Sequence, residues 1–288
     1  MTFIQREIEL EFGLHSDKGV TERVQLQGHR CELIISNPGG SLNMGDLQLR
    51  AYGMKASDMN KFSTNHLFPM EVRGDTLTVS AGDSFSGLKQ IFEGTVVSAC
   101  INYGGAPDVA FDVNARPGYL YQVAPAAPNS YAGEVDVASM IESLAKRMGY
   151  GFKNNGVSSK LNDQYLKGSA IDQVKTICEA ARIVCNIENG TITIWPNDGG
   201  SNDQILQISP ETGLIGYPTF TRTGVQIAME FRPGIVLGQK INLLTSVEKA
   251  AGIWFVQSVR YELSTLQPQG PWLTVANLAK SGFYVAKW

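Results

Sequence analysis

Apolar and polar residues alternate with a period of two through most of this chain, and that leaves little choice of architecture. Ile8, Leu10, Phe12 and Leu14 alternate with Glu7, Glu9, Glu11 and Gly13. Leu47, Leu49 and Ala51 alternate with Gln48, Arg50 and Tyr52, and Leu77, Val79 and Ala81 with Thr78 and Ser80. Val109, Phe111 and Val113 alternate with Ala110, Asp112 and Asn114. Successive side chains of an extended strand point to opposite faces, so each run sets an apolar row on a core and a polar row in water. Val24 with Leu26, the run Cys31 to Ser36, and the long run Ile91 to Tyr103 bring residues 1–123 to about seven strands at sandwich-or-barrel spacing. Gly94 inside the long run is the expected site of a bulge. Ala56 to Phe68 is polar and reads as a loop or a single helical turn.

After the break APAAPNS (Ala124 to Ser130) the period changes. Val137, Met140, Ile141, Leu144 and Met148 fall at helical spacing, with Asp136 placed to cap the start and Gly149 just past the end. A second helix runs from about Ala170 to Arg182, opened by Ser169 and Asp172 in the spacing of a capping box. Asn189-Gly190 then separates two β-branched runs, a strong hairpin signal because both central residues need positive φ. The formal glycosylation triplet Asn189-Gly190-Thr191 is better read as that turn. Residues 131–196 are therefore expected to be a small α+β module. A second linker, Asn197 to Asp203, leads back to β structure in residues 204–288. There Val225, Ile227, Met229 and Phe231 alternate with Gln226, Ala228, Glu230 and Arg232. Pro233-Gly234 should turn the chain into a second extended run, Ile235 to Leu244. Phe255 to Leu263, the turn Pro268 to Pro271 and the returning Trp272 to Leu278 complete the chain.

The two ends share an order of elements. Each closes on a long strand, a Gly/Pro loop and a returning strand: Ile91–Tyr103 with Val109–Ala115, and Ile253–Leu263 with Trp272–Ala279. Two related β-barrels or sandwiches, residues 1–123 and 204–288, flanking an α+β insert are the expected architecture.

Chemistry is sparse. The sequence has no GxSxG elbow, P-loop, HExxH or GxGxxG motif. His15, His29 and His66 lack metal-ligand spacing. Cys31, Cys100, Cys178 and Cys185 form no CxxC pair and sit among apolar neighbours, so all four are expected to be buried free thiols. Glu7, Glu9 and Glu11 read as the solvated face of a strand rather than a glycosidase pair. Trp195, Trp254 and Trp272 read as core or interface anchors, and the Met140–Met148 helix as module core. No catalytic, cofactor-binding or metal-binding residue is assigned. A net charge of -3 argues against a protein that coats nucleic acid. No stretch approaches the roughly 18 apolar residues of a membrane helix, and no signal peptide is evident.

Residues 209–241, SPETGLIGYPTFTRTGVQIAMEFRPGIVLGQKI, resemble baseplate hub proteins of contractile-tailed bacteriophages. The resemblance continues through Gly238 to Leu243, Gly252-Ile253-Trp254-Phe255-Val256 and Gly270-Pro271-Trp272. Upstream it takes in Phe92-Glu93-Gly94-Thr95-Val96, Pro107-Asp108-Val109, Leu166-Lys167-Gly168-Ser169 and Ile194-Trp195-Pro196. It implies a non-enzymatic structural protein of two tube-type barrels. Three copies would form a pseudo-sixfold ring joining the hexameric tail tube to a trimeric spike. The implied partners are the chain itself as a homotrimer, the tail tube protein, the spike, other baseplate proteins and the tape measure protein. Viral DNA would pass through the lumen unread. The implied location is the tail baseplate of the virion, after synthesis in the host cytoplasm and without membrane insertion. The alternatives are the equivalent hub of a phage-tail-like bacteriocin or secretion apparatus, and a tail-associated cell-wall hydrolase with its cleft in residues 131–196.

Overall fold

The computed structural model describes residues 5–16, 19–39, 45–64, 73–197 and 205–280. Strand β1 (Arg6–Ser16) is followed by β2 (Gly19–Gln27), β3 (Cys31–Pro38) and β4 (Asp46–Tyr52). Helix α1 (Ala56–Phe62) leads to β5 (Thr76–Asp83), the long β6 (Gly87–Asn102) and β7 (Ala110–Arg116). A short helix α2 (Tyr119–Val123) precedes β8 (Asn129–Asp136), α3 (Val137–Arg147), β9 (Gly151–Asn154) and β10 (Lys160–Leu166). Then come α4 (Ala170–Ala181), β11 (Ile183–Glu188) and β12 (Thr191–Pro196). The last part holds β13 (Leu206–Ile208), β14 (Leu214–Phe220), β15 (Val225–Glu230), β16 (Lys240–Leu243), β17 (Gly252–Thr265) and β18 (Trp272–Ala279). The protein is mainly β with a small α+β module, as the periodicities predict.

Thirteen strands join in one sheet, whose main path runs β14-β15-β18-β17-β3-β4-β7-β6-β5-β1-β2. The link between its two halves is an eight-residue antiparallel ladder in which Ser258–Thr265 of β17 face Pro38–Cys31 of β3. On the same edge, Gly252–Phe255 of β17 bond β16; its other edge bonds β18. No sequence pattern announces this ladder, because the period of two fixes a strand's faces and not its neighbours.

One arrangement occurs twice along that path. The order β3-β4-β7-β6-β5 in the first half is matched by β14-β15-β18-β17-β16 in the second. The match extends to irregularities. An extra residue interrupts the β6–β7 ladder between Val96 and Ser98, and another interrupts β17–β18 between Val256 and Ser258. Immediately after each bulge a cross-strand asparagine donates to the serine: Asn114 Nδ2 to Ser98 Oγ at 3.0 Å, and Asn277 Nδ2 to Ser258 Oγ at 2.8 Å. A glutamine stands opposite each asparagine, Gln48 on β4 and Gln226 on β15.

The larger core runs under both halves. Phe12 stacks on Phe62 and Phe111 with ring centroids 5.3 and 6.1 Å apart, and α1 delivers Met59 and Phe62 into that cluster. The second core belongs to the module: Met140, Ile141 and Leu144 of α3 meet Val174 and Ile177 of α4 over Ile192 and Ile194 of β12. The hairpin β11–β12 has two buried faces, since Val184 and Trp195 turn away from the helices and join the larger core. Both helix starts are capped as expected. Asp136 accepts from Ser139 N–H at 2.9 Å, and Ser169 and Asp172 exchange hydrogen bonds at 3.1 Å each. Gly149 adopts φ 72°, and Asn189-Gly190 takes φ 45° and 67°, the left-handed pair that the hairpin turn requires.

Several expectations need correction. Ala56–Phe62 is a two-turn helix rather than a loop or a single turn; the remainder of that stretch falls largely outside the described residues. Ile235 to Leu244 is not one strand. Only Lys240–Leu243 is extended, because Gly234 and Gly238 at φ 91° and 76° bend the segment, and Ile235 and Leu237 instead plug the core. The bulges of β6 lie at Ile91 and Val97, not at Gly94. A Cβ on Gly94 would stand 2.8 Å from the Arg116 backbone, so this glycine permits a close strand approach. Cys100 is exposed, because its place in β6 turns it to the polar face beside Asp112; Cys31, Cys178 and Cys185 are buried. The strands β8 and β10, which pair with each other, lack the apolar alternation that would have marked them.

Truncating Phe111→Ala should cost about 3–5 kcal/mol, the usual penalty for an emptied aromatic site in a packed core. Denaturant unfolding of the full chain checks this, and a loss below about 1 kcal/mol would show that the Phe12–Phe62–Phe111 cluster does not anchor the first half.

Candidate functional surface

The side chains on the outward face of the seven-strand stretch β15-β18-β17-β3-β4-β7-β6 are predominantly polar. Register places the row Gln226–Asn277–Ser258 on one half and Gln48–Asn114–Ser98 on the other. Around them, Glu32, Asp46, Asp112, Glu230 and Glu262 outnumber Arg50, Arg116 and Arg260. Two of these guanidiniums, Arg50 and Arg260, are engaged. Arg50 grips Asp112 in a forked pair at 2.6 and 3.0 Å, and Asn102 donates to the same carboxylate at 2.9 Å. Arg50 and Asn102 together hold the Asp112 carboxyl below its ordinary range. Arg260 pairs with Glu262 at 3.0 Å, and Arg30, just before β3, approaches Glu32 at 3.6 Å. A hollow of about 360 Å³ lies in this face, lined by Glu32, Gln48, Arg50, Asp112 and Glu262. The surface is thus rich in amides and hydroxyls, slightly acidic, and short of free cations.

Among the described residues no cluster of three or more His, Cys, Asp or Glu side chains is placed to hold a metal ion. Also among them, no helix is long and apolar enough to cross a membrane. His15 and His29 lie apart on the fold: the backbone N–H of His15 donates to Asp75, and the His29 ring contacts the Tyr52 carbonyl. His66 falls outside the described residues. The tryptophans act as anchors. Trp254 is buried with its indole N–H on the Ala250 carbonyl at 2.8 Å, and Trp272 packs edge-on against Phe231.

The motif residues singled out in the sequence are structural. Arg232 fixes the end of β15 through its N–H to Thr274 Oγ1 at 3.1 Å and a guanidinium contact to the Thr212 carbonyl at 3.4 Å. Ser209 and Thr212 close a small box around the turn that launches β14. Gly252 opens β17 at φ 112°.

The family profile described as Baseplate hub gp41 matches residues 53–269. The chain belongs to the baseplate hub gp41 family. Its role is accordingly structural, of the phage-tail baseplate type. No curated protein sequence matches the chain. Solved structures share the fold at low identity. The 43 kDa tail protein of prophage MuSo2 from Shewanella oneidensis superposes with a TM-score of 0.63 at 10% identity, over 96% of this chain and 97% of that one. The E. coli c3393 protein is a type VI secretion component said to resemble the T4 tail proteins gp27 and gp5. It gives a TM-score of 0.60 at 10% identity, over 90% of this chain and 76% of that one. A chain of the half-lidded Francisella PdpA–VgrG complex gives 0.60 at 10% identity, with 99% of the hub chain covering 60% of that one.

One half-buried ionisable group stands where the module meets the sheet. Glu188, at the end of β11, borders a cavity of about 230 Å³ that also touches Asn186, Lys153 and Tyr261. Asn186 donates to its carboxylate at 3.4 Å. Burial pushes the Glu188 carboxyl up from 4.5 to about 7, partly offset by a hydrogen bond from Asn37. The same burial, with Glu188 nearby, raises the Tyr261 hydroxyl. A carboxyl whose folded value is raised favours folding fully below its unfolded value, and that advantage disappears as pH rises through the folded value. Stability should therefore fall between about pH 4.5 and 7. Glu188→Gln should flatten that segment and gain up to about 3 kcal/mol at pH 8. Thermal melts across pH 4 to 8 read both effects, and an unaltered slope in the variant would remove Glu188 as the cause.

Proposed function

We propose that the chain is the hub of a contractile phage tail, three copies forming a pseudo-sixfold ring that joins the hexameric tail tube to the trimeric spike. Residues 1–123 and 204–288 serve as the two tube-type units and residues 131–196 as a module carried between them. The observation that carries this reading is the repeated strand order with its shared bulge and Gln–Asn–Ser row. A chain that holds two copies of one unit offers six from three molecules, which is what a threefold component needs to meet a sixfold tube. Its work is surface complementarity and sealing rather than catalysis. Its partners are its own copies, the tail tube protein, the spike, neighbouring baseplate proteins and the tape measure protein. It is made in the host cytoplasm and resides in the virion baseplate.

The polar seven-strand face suits a channel through which DNA slides. DNA binding is driven by cations that displace counterions from phosphates, and here Arg50 and Arg260 are paired and the carboxylates outnumber the guanidiniums. The same architecture in a secretion apparatus or tail-like bacteriocin is the second reading, favoured by the TM-score of 0.60 to the type VI component.

Native mass measurement of the protein, alone and mixed with its spike, should give complexes with three hub chains; a stoichiometry not divisible by three ends the ring reading. A Glu32→Lys, Asp112→Lys, Glu262→Lys variant should retain a short DNA duplex on a gel at about 100 mM salt, whereas the unaltered protein should let it run free. Retention by the unaltered protein at that salt would count against a channel-lining role for this face.

A further inference from the structure

The strands β6 and β17 are equivalent, yet their edges are unequally filled. In β17 the edge beyond β16 is completed by β3 from the other half of the same chain. In β6 the corresponding edge is bonded by β5 as far as Thr95, and Val96 N–H reaches the Asp75 carbonyl at 2.7 Å. Thr64 then occupies both backbone groups of Ala99, at 2.9 and 3.0 Å. Past Ala99 the described residues place no strand on this edge. Ile101 is half-buried there and Tyr103 is 64% exposed.

The equivalent of β3 in the second half is β14, which stands at the end of the sheet with β15 on one side and, among the described residues, no strand on the other. It carries Ile215, Tyr217 and Phe220 at 44%, 76% and 55% exposure and no charged residue. The opposite end of the sheet differs. On β2, Glu22 pairs with Lys61 and Arg23 with Glu11, charges of the kind that discourage edge-to-edge pairing. Among the described residues, an apolar edge without charges and an unfilled one therefore sit at matching positions of the repeat.

We propose that β14 of one chain pairs antiparallel with the end of β6 past Ala99 of a second copy, repeating between chains the β3–β17 ladder made within each. Equivalence sets the register. Ile35 of β3 faces Tyr261 of β17. Ile35 corresponds to Phe220, since they face the matched residues Leu47 and Val225. Tyr261 corresponds to Ile101, each lying three residues after its bulge serine. Ile101 is thus opposite Phe220 of the second copy, and Tyr103 meets the Tyr217–Pro218 step. The contact is head-to-tail and closes into a ring because each chain already spans two of six steps. This seam rests on the ring reading and gives it its contact.

Facing residues on adjacent antiparallel strands have Cα atoms about 4.5–5.5 Å apart, within the Cα span of a disulfide. The test uses the full chain with the exposed thiol removed, Cys100→Ser, and Ile101→Cys combined with Phe220→Cys. The concentrated protein is oxidised by copper phenanthroline with dioxygen, which takes two electrons and two protons from each thiol pair. Non-reducing gels should show dimer and a terminal trimer, absent from either single-cysteine variant and from a control pairing Ile101→Cys with Thr21→Cys on β2. Tyr217→Lys with Phe220→Lys should weaken self-association by tenfold or more with an unchanged melting temperature. Trimers seen by sedimentation but not captured by the 101–220 pair would overturn the seam and leave the ring standing. Protein that stays monomeric and uncrosslinked at every concentration would also overturn the seam, while the ring remains to be judged by its stoichiometry with the spike.

Discussion

The β3–β17 ladder holds the molecule together. It joins residues more than two hundred positions apart in sequence and turns two sheets into one. Its contribution is not chiefly the hydrogen bonds, each of which nets only about 1 kcal/mol against water. It consists in closing two edges that would otherwise face solvent and in laying the apolar rows of β3 and β17 over one core, where Leu33 and Ile35 meet Val259, Tyr261 and Leu263. The polar face above that core is continuous because the ladder is continuous.

This explains why a baseplate-type structural protein needs so much order. A hub works through the shape and charge of a surface several strands wide. The Arg50–Asp112 fork, the Arg260–Glu262 pair and the two Asn–Ser hydrogen bonds fix side chains on that surface and tie up two of its guanidiniums. The family match and the shared fold of prophage and secretion components agree with a scaffold that is retained while sequence identity drops to about a tenth.

Much of the fold is legible in the sequence where one local rule suffices. Alternation marks β1, β4, β5, β7 and β15; Asn189-Gly190 marks its hairpin; Ser169 and Asp172 mark the start of α4. Legibility fails where partners decide. Strands β8 and β10 are polar on both sides and take their extended form from each other. Ile235 and Leu237 look like strand residues but are core plugs in a bent segment. Cys100 has apolar neighbours in sequence and polar ones in space. The raised carboxyl of Glu188 depends on a module, a sheet and a cavity meeting at one point. The candidate surface itself could be read only as polar alternation in separate strands; its breadth follows from the ladder.

The paired bulges carry a last consequence. An extra residue in a strand bends it and tightens its twist, and both long strands have theirs at the residue just before the serine of the Asn–Ser bond, Val97 and Gln257, the same place in each repeat. Curvature is therefore written into every repeat before any neighbour arrives. In the ring proposed above, the bore would then be set by the covalent chain, and copy number would follow from geometry rather than from selection among contacts.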